Sequence, residues 1–131
     1  MVVSGKVPVT RTSGPDSISY LDELSTLGEN TIAEFYQARG FTVSQLSPAD
    51  FPLQPATLTD LAGGDRHTNA EIVRRLLNGD ERGPKRDAVL LNAAAALFVA
   101  DRVRSLSEGW NLAAGLIDGG QAANKLKQLA S

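Results

Sequence analysis

The chain has 131 residues, 42% of them apolar and 21% charged, with 13 Lys and Arg against 15 Asp and Glu. That is the size of one ordinary domain with enough apolar surface for a core, which excludes disorder as its general state. A net charge of −2 leaves no surplus of cations for a nucleic-acid backbone or an anionic membrane surface, and the lack of cysteine removes disulfides and thiolate chemistry. The opening MVVSGKVPVT has neither the apolar stretch nor the cleavage site of a signal peptide, so a cytoplasmic protein is expected, with no nucleic-acid and no membrane partner.

Along the chain, Val2 and Val3 form a short β-like pair. Residues 6–19 (KVPVTRTSGPDSIS) are rich in Pro, Gly, Ser and Thr and read as an exposed loop, followed by an amphipathic turn at 20–25. Segments 31–36 (TIAEFY) and 41–46 (FTVSQL) alternate apolar and polar residues. Gly40 closes the intervening QARG at a position suited to a left-handed turn, and the two segments predict a β-hairpin. Ser47 and Pro48, with Asp50 behind them, have the pattern of an N-cap and first turn of a very short helix. Thr57 or Thr59 caps another short turn through Leu61. Asp65 or Thr68 opens a helix with Ile72, Val73, Leu76 and Leu77 on one face, and Asn78-Gly79 ends it.

The run 83–100, GPKRDAVLLNAAAALFVA, predicts a helix with Pro84 in its first turn and apolar side chains almost all the way round. Such a helix must be surrounded, and this one is too short for a bilayer, so it reads as the buried centre of the domain. Its four successive alanines allow a neighbouring backbone to come close. Ser105 opens another long helix with Leu106, Trp110, Ala113, Ala114 and Ile117 inward and Gly119-Gly120 as its stop; a last helix over 121–129 is polar enough for the surface. The sum is a single α/β domain over 1–131, partial in its sheet. A few short strands, including a hairpin near 31–46, pack with three to four C-terminal helices around the buried helix 84–100. So little sheet beside so apolar a helix predicts that something further covers the sheet. Strand edges at Val2-Val3 and at the hairpin favour self-association.

Few residues invite chemistry. Asp22 and Glu23 are adjacent carboxylates that suit either a solvated turn or a pair of oxygen ligands for a hard cation. Gly63-Gly64-Asp65 is explained by a loop and an N-cap, with a phosphate cradle at the helix N-terminus as the alternative. His67, the only histidine, has no Ser or carboxylate at a suggestive spacing and reads as a surface residue. Arg82, Lys85 and Arg86 are interleaved with Asp80, Glu81 and Asp87, which predicts a solvated, salt-bridged face. Phe98 and Trp110 sit at core spacing and are expected to pack rather than to stack on a ligand.

Four pieces, in this order, resemble the C-terminal portion of the anthranilate phosphoribosyltransferase family of tryptophan biosynthesis. They are Val2-Val3-Ser4-Gly5, Leu21-Asp22-Glu23-Leu24-Ser25, Leu61-Ala62-Gly63-Gly64-Asp65 with Asn69, and the run 83–100. The first is similar to a family strand ending Val-His-Gly, with Ser4 in the place of the histidine. The second is similar to the family's acidic Leu-Asp-Glu motif, behind a longer loop than the common form, and the third to a family loop and helix start. The resemblance implies transfer of phosphoribose from phosphoribosyl pyrophosphate to anthranilate, with Mg2+ as cofactor and Asp22 and Glu23 as its ligands. It also implies that the family's Gly-Thr-Gly-Gly-Asp phosphate loop, its Lys-His-Gly-Asn segment and its anthranilate-binding arginine belong upstream, since none occurs in this sequence. No catalytic residue and no organic cofactor site is therefore assigned. The chain is expected to be a fragment or subunit of that glycosyltransferase, inactive alone, partnered by the upstream part of the enzyme or by itself. Phosphoribosyl pyrophosphate and anthranilate would be bound only by the complete enzyme. The alternative is a non-catalytic assembly domain descended from it.

Overall fold

The computed structural model describes residues 1–9, 17–38 and 40–130, and the chain divides into two compact units, Met1–Thr59 and Asp60–Ser131. The first unit is a four-stranded antiparallel sheet made of β1 (Val2–Val9), β2 (Ser17–Leu21), β3 (Asn30–Tyr36) and β4 (Gly40–Leu46), in the order β2-β1-β3-β4. The predicted hairpin is β3–β4, and Gly40 takes the left-handed conformation with φ 76°. A 3₁₀ turn, Pro48–Asp50, follows, with the Ser47 hydroxyl accepting from the Ala49 N–H at 3.3 Å.

Two expectations for this half are corrected. Val2 and Val3 are not a short isolated pair: they open an eight-residue strand whose Val2–Gly5 portion pairs with β3 and whose Gly5–Val9 portion pairs with β2, which leaves Val2–Ser4 with an edge open on the β2 side among the described residues. Nor are residues 6–19 a loop throughout, because Lys6–Val9 lies in β1 and Ser17–Ser19 in β2, with Val7 1% exposed; residues 10–16 lie outside the described part. The alternation of Val7 with polar or proline neighbours is a strand signal that the Pro and Gly content concealed. Pro8 itself is accommodated by register. The Lys6 N–H donates to Glu29 O at 3.0 Å on the β3 side. Two residues on, the donor that Pro8 lacks falls on the same side, where the pairing with β3 has already ended.

A single helical turn, α1 (Leu58–Leu61), links the units in sequence, and the second unit is helical: α2 (Arg66–Asn78), α3 (Pro84–Val99), α4 (Leu106–Asp118) and α5 (Gln121–Leu129). The predicted caps are present. Asp65 caps α2, and Ser105 caps α4 by accepting from the Glu108 N–H at 3.1 Å. On α4 the residues buried are Gly109, Trp110, Ala113 and Ile117, one face at helical spacing, while α5 buries none. The alanine run serves as expected: a Cβ on Gly109 would lie 2.8 Å from both Cα and O of Ala94, so α4 crosses α3 at backbone contact.

Helix α3 is nevertheless not buried all round. Its buried residues are Arg86, Asp87, Leu90, Leu91 and Ala94, a single stripe at spacings of three and four, whereas Val99 is 59% exposed. Periodicity reports what a helix offers for burial; how much is covered depends on the elements that lie against it. The molecule is thus mixed α/β, and among the described residues no helix is long and apolar enough to cross a membrane.

Candidate functional site

β2 ends at Leu21, opposite Gly5, and the chain then bends so that Asp22 and Glu23 stand exposed beside the sheet. The next two residues turn inward, with Leu24 and Ser25 each 2% exposed. This bend lies against β1 so closely that a Cβ at position 5 would come within 2.5 Å of Ser25 N and 2.6 Å of Glu23 O. Gly5, the residue after Ser4 in the first quoted motif, is therefore what lets the acidic bend dock on the strand.

Asn30 fastens it. Buried completely at the start of β3, its Oδ1 accepts from the Ser25 N–H at 2.6 Å, and its Nδ2 donates to Ser25 O at 2.9 Å and Gly28 O at 3.2 Å. A longer contact of 3.4 Å reaches Leu46 O on β4. The Ser25 hydroxyl accepts from the Leu27 N–H at 3.1 Å and tightens the same turn. Asn30, Ser25 and Gly5 were not singled out as site residues from the sequence. The available signal was Asn30 itself, a residue depleted in strands yet placed at the head of an alternating segment.

The chemistry of this arrangement is that of hard oxygen donors on a fixed support. Among the described residues no group of three or more His, Asp or Glu gathers to hold a metal unaided. Two solvent-open carboxylates do suit Mg2+, which is commonly bound by one or two carboxylates and completed by substrate phosphate oxygens and water.

The other candidates fall elsewhere. At Gly63-Gly64-Asp65 the central donor is already engaged: Gly64 N–H donates to Asn69 Oδ1 at 2.8 Å, and Asn69 Nδ2 returns a bond to Gly64 O at 3.0 Å. The Thr68 N–H donates to Asp65 Oδ1 at 2.8 Å, so the loop-and-cap reading holds over the phosphate cradle. The hydrogen bond from the Thr68 backbone, then that from its hydroxyl, hold the Asp65 carboxyl below the usual aspartate range. A carboxyl depressed on folding stabilises the fold above its unfolded pKa, near 3.9, and loses that contribution as pH falls through the folded value. Asp65→Ala is accordingly expected to lower the melting temperature at neutral pH, with the difference closing as the solution is acidified through and below the usual carboxylate range. A deficit of constant size across that range would contradict the cap. His67 is exposed, as expected.

The basic cluster is only partly a solvated face. Arg82 is exposed and pairs with Asp118 at 3.2 Å, but Arg86 is 6% exposed and reaches the same carboxylate oxygen from inside, at 3.0 Å. Trp110 is buried and Phe98 half-buried.

With this geometry in view, similarity to known proteins is informative. Residues 7–123 match the family described as "Glycosyl transferase family, a/b domain". Anthranilate phosphoribosyltransferase 2 of Streptomyces coelicolor is 45% identical over 125 residues, covering 95% of this chain and 37% of that protein. The anthranilate phosphoribosyltransferase of Phenylobacterium zucineum is 47% identical over 111 residues, covering 83% of this chain and 32% of its own length. In three dimensions the chain is similar to the crystal structure of the Thermus thermophilus anthranilate phosphoribosyltransferase, with a TM-score of 0.71 and 35% identity over 95% of this chain and 34% of that one. The chain spans about a third of the length of the relatives it matches. A match that runs through the sheet, the acidic bend and helices α2 to α4 carries the assignment: the chain belongs to the glycosyl transferase family, within its a/b domain.

Proposed function

We propose that this chain forms the C-terminal third of an anthranilate phosphoribosyltransferase fold and supplies the acidic pair, Asp22 and Glu23, that holds Mg2+ for phosphoribosyl transfer to anthranilate. The observation that carries this reading is an exposed carboxylate pair whose backbone is pinned by a buried asparagine and a close-approach glycine. A freely solvated turn has no use for such a clamp. Mg2+ held there would neutralise the charge that develops on the departing pyrophosphate. The chain's own contribution is to keep the two carboxylates together, facing solvent, at a constant position on the sheet. The remaining groups, for the phosphates and for anthranilate, would come from the upstream part of the enzyme. The isolated chain is thus expected to show no turnover, because donor and acceptor must be held in one geometry. A cytoplasmic biosynthetic role in tryptophan formation follows from the same reading.

Mn2+ tests the pair directly, since it shares the preference of Mg2+ for oxygen ligands and broadens nearby NMR signals. With pyrophosphate present, Mn2+ is expected to bleach the amide resonances of the 21–25 bend first, and Asp22→Asn/Glu23→Gln is expected to abolish that selectivity. Broadening spread evenly over the exposed Asp and Glu residues, unchanged in the double variant, would refute the metal assignment.

A further inference from the structure

The two faces of the sheet are built for opposite surroundings. Directly opposed residues of antiparallel strands share a face, and one face holds the buried Gly5, Val7, Asn30 and Ile32. The register gathers Val2, Ile18, Tyr20, Phe35, Phe41 and Val43 on the other: Val2 and Val43 both oppose Ala33, Phe35 opposes Phe41, and Tyr20 opposes Lys6. All six are exposed, from 57% at Val43 to 73% at Phe35. Lys6 is the only charged residue that the register adds to this face among the described residues. An antiparallel sheet that meets water on one side ordinarily turns its polar residues there. Here Thr42 and Ser44 of β4 lie on the opposite face from Phe41 and Val43, and the polar residue that β4 adds to the apolar face is Gln45, paired with Thr31.

We infer that this apolar face is the docking surface for the upstream two thirds of the phosphoribosyltransferase fold, whose helices would cover it. The inference rests on the proposed function for the identity of the partner, though not on metal binding. Two observations select that occupant. Residues 7–123 match an a/b domain, an architecture that packs helices against the faces of its sheet. About two thirds of the relatives' length lies outside what this chain matches, which is ample polypeptide for a covering layer. Val2, Val43, Phe35 and Phe41 are contiguous around Ala33 at one end of this face, with Ile18 and Tyr20 beyond a row of Ser4, Thr31 and Gln45, and such exposed aromatic and β-branched residues are the composition of an interface core.

The test combines the 131-residue chain with the part of the Streptomyces coelicolor relative that lies outside the match, produced as a separate polypeptide. Sedimentation is expected to show a one-to-one complex, weakened at least about tenfold by Phe35→Lys/Val43→Lys, while Thr42→Lys/Ser44→Lys on the opposite face changes affinity by less than about threefold. Where the separate polypeptide does not fold, the chain is grafted in place of the matching third of that relative. Phe35→Lys/Val43→Lys should then lower the melting temperature of the graft by about 10 °C, because unpaired charges become buried, and leave that of the isolated chain nearly unchanged. Equal effects of the two double variants, or a graft whose melting ignores Phe35→Lys/Val43→Lys, would overturn the inference. So would self-association of the isolated chain that Phe35→Lys/Val43→Lys abolishes while binding of the upstream polypeptide persists, since the face would then belong to a second copy. A graft that melts as expected but does not transfer phosphoribose leaves this surface standing and removes the proposed activity.

Discussion

Replacing Asn30 with alanine is expected to lower the stability of the sheet unit by about 3 kcal/mol and to free the acidic bend. The side chain is wholly buried and bonds both the N–H and the C=O of Ser25, as well as Gly28 O. Truncation leaves those groups without partners, buried at Ser25 and half-buried at Gly28, and each buried one costs roughly 1–3 kcal/mol. Not all of that is lost, since the relaxed turn can open to solvent. Chemical denaturation checks the magnitude, and hydrogen exchange at Ser25 and Leu27 checks the mechanism. A loss below about 1 kcal/mol with unchanged exchange would mean that the bend holds itself without the clamp. In the same variant the selective Mn2+ effect on the 21–25 bend is expected to weaken, because two carboxylates on a mobile turn no longer share one position.

The second large effect is expected at Asp118. This carboxylate is the anchor for Arg86, whose guanidinium is inside the helical unit and whose Nη1 already lacks a partner among the described residues. Asp118→Ala would strand a buried cation and is expected to cost about 2 kcal/mol, less than a fully buried pair broken on one side because the Asp118 side chain is 40% exposed. Arg82, exposed and bound to the same oxygen, provides the comparison. Arg82→Ala should cost less than about 0.5 kcal/mol. The double change Arg86→Met/Asp118→Ala should recover at least about half of the loss, since neither charge is then left alone. Equal losses from Asp118→Ala and Arg82→Ala would show that Arg86 is satisfied in some other way.

What the sequence made legible was local. Pro84, Ser105, the Asp65 cap and Gly40 each act through their own backbone or that of residues a few positions away, and each sits where it was expected. The inward face of α4 was equally plain, because one helix carries its whole periodicity within thirteen residues. The failures are all non-local. Whether Lys6–Val9 is strand or loop depends on β2, eight or more residues away, and on a register that places Pro8 past the end of β3. The burial of Arg86 depends on an aspartate 32 residues later, at the end of α4. The clamp on the acidic bend is an asparagine whose value comes only from the turn it holds. Asp22 and Glu23 could be named from the order of motifs, but the physical reason for regarding them as a site, a bend pinned by Gly5 and Asn30, became visible only in the fold.

The central claim, that this chain carries part of a phosphoribosyl-transferring site, is tested most directly by turnover in a graft. The chain replaces the matching third of the Streptomyces coelicolor relative, and consumption of anthranilate is followed with phosphoribosyl pyrophosphate and Mg2+. The account predicts turnover by the folded graft, at least about a hundredfold less in its Asp22→Asn/Glu23→Gln form with melting unchanged, and none by the 131-residue chain alone. A folded graft that leaves anthranilate untouched, or one whose rate is indifferent to the loss of both carboxylates, would contradict it.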